Sequence, residues 1–164
     1  MTVLVVFGSK YGSTSRVAHH IADVFAQKGL QVEVRTPDQQ PDLSQYDAVV
    51  IGSAIYAGRW RRSIRNFVRT NGPALAALPV WLFSVGPLGN PPTPTENPKD
   101  ANSALESLDA RGHELFAGAL DSTHMSFGDR AMIRALGVAD GDYRNWNRIT
   151  KWAEHVAADL ALTK

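Results

Sequence analysis

Strand-like apolar runs and helix-like segments alternate along this chain from end to end. Val3 to Phe7 is an unbroken apolar run of the length expected for a strand buried on both faces. Val17, Ile21, Val24 and Phe25 then recur at helical spacing, and Lys28-Gly29 ends that helix. Gln31 to Arg35 reads as the second strand. The segment Thr36 to Asp47 carries Pro37 and Pro41, is too broken for a long helix, and leads into Ala48 to Ser53, a third and fully buried strand. Ile64, Phe67 and Val68 mark one face of a helix from about Trp60 to Thr70, and Pro79 to Ser84 carries the fourth strand. Ala101, Ala104, Leu105 and Leu108 set the next helix, closed by Gly112, and Leu115 to Leu120 gives a fifth strand. A last helix near Asn145 to Leu162 places Trp146, Ile149, Trp152, Val156 and Leu160 on one stripe, where the tryptophans read as packing residues.

Such alternation predicts an α/β fold, a three-layer doubly wound sandwich whose five-stranded parallel sheet is covered by helices on both faces. In the strand order 2-1-3-4-5, ligands sit beyond the carboxyl ends of strands 1, 3 and 4. The loops at those ends are Ser9 to Thr14, Ser53 to Trp60 and Ser84 to Pro91, each rich in glycine, hydroxyl or aromatic residues. Prolines at 87, 91, 92, 94 and 98 make the stretch after the fourth strand a long irregular connection, of the kind that often carries function.

The 164 residues are read as one domain, 1–164, and 44% hydrophobic with 20% charged content is that of a globular protein. Absence of cysteine excludes disulfides, thiolate metal sites and cysteine nucleophiles. A net charge of +1 gives no footing for broad nucleic-acid binding. No secretory leader and no apolar stretch of about 18 residues is visible, so a cytoplasmic protein with at most peripheral contact at the inner membrane face is expected. His19 and His20 are adjacent and His113, His124 and His155 scattered, without zinc-like spacing, so no metal is expected. Ser53 and Ser84 sit at strand ends without the G-x-S-x-G elbow of a hydrolase.

The first loop carries the sharpest chemistry. A buried strand that delivers Gly8-Ser9-Lys10-Tyr11-Gly12-Ser13-Thr14 to a helix start aims free amides and the helix dipole at one point, an anion site. Neither the P-loop nor the dinucleotide pattern is present. Ser9, Ser13 and Thr14 supply hydroxyls for a phosphate and Gly12 admits close backbone approach; the plainer alternative is a helix N-capped by Ser13 or Thr14. A flat conjugated ring would find partners in the other two loops. Tyr56 or Trp60 could stack on it, or could simply close the end of the sheet, while the backbone near Gly58 and along Ser84-Val85-Gly86-Pro87-Leu88-Gly89 could reach its edge. Arg59, Arg61, Arg62, Arg65 and Arg69 form a dense cationic group, either a solvated helix face, above all at Arg65 and Arg69, or, at Arg59, Arg61 or Arg62, a site for an anionic small-molecule substrate, an acidic partner or lipid head groups, with Arg59 and Arg62 the candidates on the substrate side.

Ser9-Lys10-Tyr11-Gly12-Ser13-Thr14 resembles the phosphate loop of the flavodoxin superfamily, and the resemblance extends over the whole chain. Within that superfamily the chain looks most like the menaquinone-dependent protoporphyrinogen oxidase branch. Val50-Ile51-Gly52-Ser53-Ala54-Ile55-Tyr56-Ala57-Gly58 is similar to its V-I-G-x-S-I-x-Y-G, with the tyrosine one place earlier; Phe116-Ala117-Gly118-Ala119-Leu120 is similar to its fifth-strand A-G-A-L. Asp129-Arg130-Ala131-Met132-Ile133-Arg134 looks like the D-R-x-M-I-K of its inserted segment, at about 121–143 here, where Phe127, Met132, Ile133 and Leu136 either pack on the body or form an apolar surface.

The resemblance implies flavin mononucleotide (FMN) as cofactor, held by Ser9, Lys10, Tyr11, Gly12, Ser13 and Thr14, by Ser53, Ala54, Ile55, Tyr56, Ala57, Gly58 and Trp60, and by Ser84 to Gly89. It implies electron transfer, with porphyrinogen oxidation coupled to a quinone as the named example. No side chain stands out as a general base. The competing expectation is a one-electron carrier that serves a redox protein partner and has no substrate chemistry of its own. An oligomeric state does not follow from the residues.

Overall fold

The computed structural model describes residues 1–88, 96–137 and 139–162, without the side chains of His124 and Leu136. Gly89 and the end of the third loop lie outside the described residues. The chain forms β1 (Thr2–Gly8), β2 (Gln31–Arg35) and β3 (Ala48–Tyr56); β4 (Arg59–Trp60), which folds back antiparallel on β3; then β5 (Val80–Val85) and β6 (Gly112–Phe116). The parallel strands lie in the order β2-β1-β3-β5-β6, the doubly wound order expected once the β4 hairpin is set aside. The helices are α1 (Ser13–Gln27), α2 (Arg62–Thr70), α3 (Gly72–Ala76), α4 (Lys99–Ser107), α5 (Phe127–Leu136) and α6 (Trp146–Ala161).

Strand alternation sorts the core into two layers. Val3, Val5 and Phe7 of β1 face α1 and α6, while Leu4 and Val6 face the layer built from α2, α3 and α4. All five are among the chain's buried residues, as parallel strands covered on both faces require. The tryptophan stripe of α6 packs as expected: Ile149, Val156 and Leu160 are fully buried, and Trp152 meets Trp81 and Phe116 edge-on at centroid distances of 6.3 and 5.6 Å.

Three expected boundaries move. The fifth strand is Gly112–Phe116 rather than Leu115 to Leu120, and Gly112 opens a strand instead of closing a helix, because α4 already ends at Ser107. Gly112 lies under Trp81, where a Cβ would stand 2.8 Å from the indole Cζ3. Ala119–Leu120 (β7) leaves the sheet and pairs antiparallel with Gly141–Asp142 (β8). Trp60 belongs to β4, so the helix expected from about Trp60 begins at Arg62.

Gly52, in the middle of β3, sits beneath the ring of Phe83 on β5, and a Cβ there would lie 1.9 Å from Phe83 Cζ. Gly52→Ala is therefore expected to cost about 2–3 kcal/mol by overpacking, measured by urea unfolding. Phe83→Leu in the same chain should recover part of that loss.

Candidate functional site

The loops after β1, β3 and β5 surround a cavity of about 280 Å³ at the carboxyl ends of those strands. Ser9, Lys10, Tyr11, Ser13 and Thr14 line it from the first loop. Ala54 to Gly58 and Val85 to Leu88 line it from the second and third. The rest of its wall is not among the residues expected to hold the cofactor: Gly118 to Leu120 beyond β6, and Met125, Asp129, Met132 and Ile133 from the inserted segment, where Met132 and Ile133 are expected either to pack on the body or to form an apolar surface.

The first loop is built to hold an anion. Gly12, at φ 88°, turns the chain into α1, and its N–H donates to Ser9 Oγ at 3.0 Å. Ser13 Oγ accepts the Ala119 N–H at 3.3 Å and so ties this loop to β7. Among the described residues the Thr14 hydroxyl is buried without a hydrogen-bond partner, and Thr14 lines the cavity. A buried polar group left unpaired is costly, so an acceptor from outside the chain is what this position calls for. The first turn of α1 carries no acidic residue, which leaves the positive end of its dipole available to the same guest.

The second loop is a two-residue hairpin. Ala57 and Gly58 both have positive φ, 51° and 77°, the pattern of a type I′ turn between β3 and β4. Arg59 braces it by donating Nε and Nη2 to the two oxygens of Asp100, each at 2.9 Å, and Asp100 also accepts the Trp60 N–H at 3.0 Å. The Arg59 guanidinium, with that N–H, holds the Asp100 carboxyl below its ordinary range.

A buried polar chain lies behind the cavity wall. The Trp60 indole N–H donates to Ser84 Oγ at 2.8 Å, and Ser84 Oγ stands 2.7 Å from His113 Nε2. Ser53 Oγ accepts the Arg61 N–H at 2.8 Å and donates to the Ala54 carbonyl at 2.9 Å. Ser53, Trp60 and Ser84 thus shape the loops from beneath, and with Gly12, Arg59 and Arg62 they are not part of the cavity lining. Burial pushes the His113 imidazole down to about 4.

Asp129, 5% exposed, is the feature of the wall that sequence reading missed. Its carboxylate lies 2.7 Å from Lys10 Nζ and accepts the hydroxyls of Tyr11 and Tyr56. Lys10 Nζ in turn stands 4.2 Å from the centroid of the Tyr56 ring and 5.5 Å from that of Tyr11. The Lys10 ammonium, with the two hydroxyls, holds the Asp129 carboxyl well below the usual carboxylate range, and Asp129 raises both Lys10 and Tyr56. The D-R-x-M-I-R motif marks Asp129, but no spacing in the sequence brings it to Lys10.

A model of the flavodoxin domain family matches residues 4–145. This chain belongs to the flavodoxin domain family. It is 26% identical, over 96% of its length and 95% of the other's, to the Escherichia coli (strain K12) protein named protoporphyrinogen IX dehydrogenase (quinone). Among solved structures it is similar to a flavodoxin of Streptococcus pneumonia TIGR4, with a TM-score of 0.60, 17% identity and coverage of 97% of this chain and 99% of that one. It is also similar to the rubredoxin oxygen:oxidoreductase of Desulfovibrio gigas, with a TM-score of 0.66 and 14% identity, where it covers 98% of this chain and 36% of that one. Family and relative together make this a flavodoxin-like oxidoreductase, with a flavin as the implied class of cofactor. Among the described residues no helix is long and apolar enough to cross a membrane.

The half-buried imidazole gives the site's foundation a pH dependence. His113 titrates at about 4 in the folded chain and at about 6.5 when unfolded, so between those values the unfolded chain binds more protons and stability falls as pH falls. Urea unfolding between pH 6.5 and pH 4.5 should show that loss, and His113→Gln should flatten it.

Proposed function

We propose that the cavity holds FMN and that the protein oxidises a reduced, porphyrinogen-like substrate and delivers the electrons to a quinone. The observation that carries the cofactor assignment is the buried Thr14 hydroxyl, unpartnered among the described residues, at the start of a helix whose first turn carries no acidic residue. Ser9, Ser13 and Thr14, with the first amides of α1, would hold the phosphate. The Ala57-Gly58 turn and Gly86-Pro87-Leu88 would meet the polar edge of the ring, between walls that include Ile55, Tyr56 and Val85. FMN bound there supplies hydride-accepting and electron-transfer chemistry.

The chain's own part is to bind, orient and exclude water. Met125, Met132 and Ile133 add apolar surface to the cavity wall, which lowers the local dielectric and disfavours reaction with bulk water. The reaction is proposed by similarity to the relative named for protoporphyrinogen and quinone, and the inserted segment that supplies this wall supports a small-molecule partner over a bare electron carrier. Of the two arginines expected on the substrate side, Arg59 is engaged by Asp100, and Arg62, exposed in the first turn of α2, is the one proposed to steer substrate carboxylates. We place the protein in the cytoplasm, meeting its quinone at the membrane face.

Titration of FMN into the ligand-free protein, followed by quenching of flavin fluorescence, should show saturable binding. Thr14→Val should weaken it about tenfold, since it removes one hydrogen bond and keeps the shape. The FMN-loaded protein, reduced without oxygen, should be reoxidised rapidly by a menaquinone analogue. A loaded protein that quinone leaves reduced would point to a carrier serving protein partners, and a protein that takes up no FMN would remove the assignment altogether.

A further inference from the structure

Helix α5 lines one side of the cavity, yet none of its described side chains belongs to either core layer: among the described residues the buried hydrophobic ones run up to Leu120 and resume at Ile149. Its inward side chains Met132 and Ile133 face the cavity, and Phe127 is 86% exposed. A helix with so little apolar anchorage has to be held by something else. Ser126 caps its start by accepting the Asp129 N–H at 3.3 Å, but that bond lies within the segment itself. What crosses to the body of the protein is the Asp129 carboxylate, on Lys10 and Tyr11 of the first loop and on Tyr56 of the second.

We propose that Asp129 is a positioning residue of the cofactor cavity, a clasp through which α5 fixes Lys10, Tyr11 and Tyr56, so that the helix and both loops loosen as one unit. The inference rests on the flavin reading for what the cavity holds, but the clasp itself is a property of the ligand-free chain. One carboxylate takes a tyrosine hydroxyl on each oxygen and the ammonium on one of them. Its acceptor capacity is thereby shared between two loops that touch different parts of the cavity. The ammonium lies against the Tyr56 ring, and the hydroxyl anchor at the other end of that ring leaves Tyr56 little freedom to turn. Release of Asp129 frees the ammonium and both rings together. Without the clasp the described residues of α5 keep their contacts along the cavity wall.

Hydrogen exchange of the ligand-free protein tests the clasp without any cofactor. Asp129→Asn should speed exchange on the order of tenfold in residues 127–136 and equally in 10–14 and 55–58, while β5 stays protected. Acceleration confined to α5, or absent, would overturn the proposal. Tyr11→Phe/Tyr56→Phe, which keeps the carboxylate and both rings, should give the same pattern if Asp129→Asn alone proves poorly folded. With FMN as probe, Asp129→Asn and the tyrosine double variant should each weaken binding about tenfold, Asp129→Glu should recover part of that loss, and the triple variant should be no weaker than either. Additive losses would mean that the carboxylate and the tyrosines act independently. Should the wild-type protein bind no FMN, the cofactor assignment fails and the exchange pattern still decides the clasp.

Discussion

Everything at the site depends on β1 being hydrogen-bonded in parallel on both of its edges, to β2 and to β3. With strands on either side, the chain leaving β1 and the chain leaving β3 must go to opposite faces of the sheet. α1 duly joins one core layer and α2 the other. The loops part as they leave adjacent strands, and the space between them is the cavity. Because the strands beneath are buried on both faces, the loop roots are held by the whole core. The buried polar chain of Trp60, Ser84 and His113 reinforces that footing with hydrogen bonds in a region where water is scarce.

The parts legible in the sequence are those set by local pattern. Apolar runs located β1 and β3, the alternating Gln31 to Arg35 segment located β2, the 3.6-residue stripe located α1 and α6, and the glycine-hydroxyl run after β1 pointed to an anion site at a helix start. The expected strand order appears in the sheet, because alternation of strand and helix leaves few ways to cover both faces. What was misread has a common cause, side chains whose partners lie far away in sequence. Trp60 seemed available for stacking, but pairing of β4 with β3 turns its indole inward onto Ser84. Arg59 seemed available to a substrate, but Asp100, 41 residues on, accepts from its Nε and Nη2 and turns it to bracing the hairpin. The polar look of Gly112-His113-Glu114 hid an edge strand, whereas the more apolar Ala119-Leu120 leaves the sheet to form part of the cavity wall.

Polar interactions at the rim compensate one another. Ala57 adopts a left-handed conformation that a residue with a Cβ disfavours by about 1 kcal/mol, and the Arg59–Asp100 bridge together with the β4 pairing holds the hairpin in that shape. Across the cavity, Lys10 brings a positive charge to a loop that already carries the positive end of a helix dipole, and Asp129 offsets it from the far side of the chain. The two charges that line the cavity, Lys10 and Asp129, thus offset each other.

The contact between Tyr11 and Asp129 spans 118 residues of chain, which bears on the order in which the molecule assembles. Closing so long a loop is entropically expensive unless the intervening sheet has already drawn its ends together. The five strands and their covering helices are therefore expected to form first, with the mouth of the cavity completed last. Until that step the segment carrying Phe127 is a tethered, unpacked chain, and synthesis itself delays the step, since Asp129 is made long after Tyr11. The same sequence separation that hid Asp129 from a linear reading is expected to make its contact with Tyr11 one of the last to form.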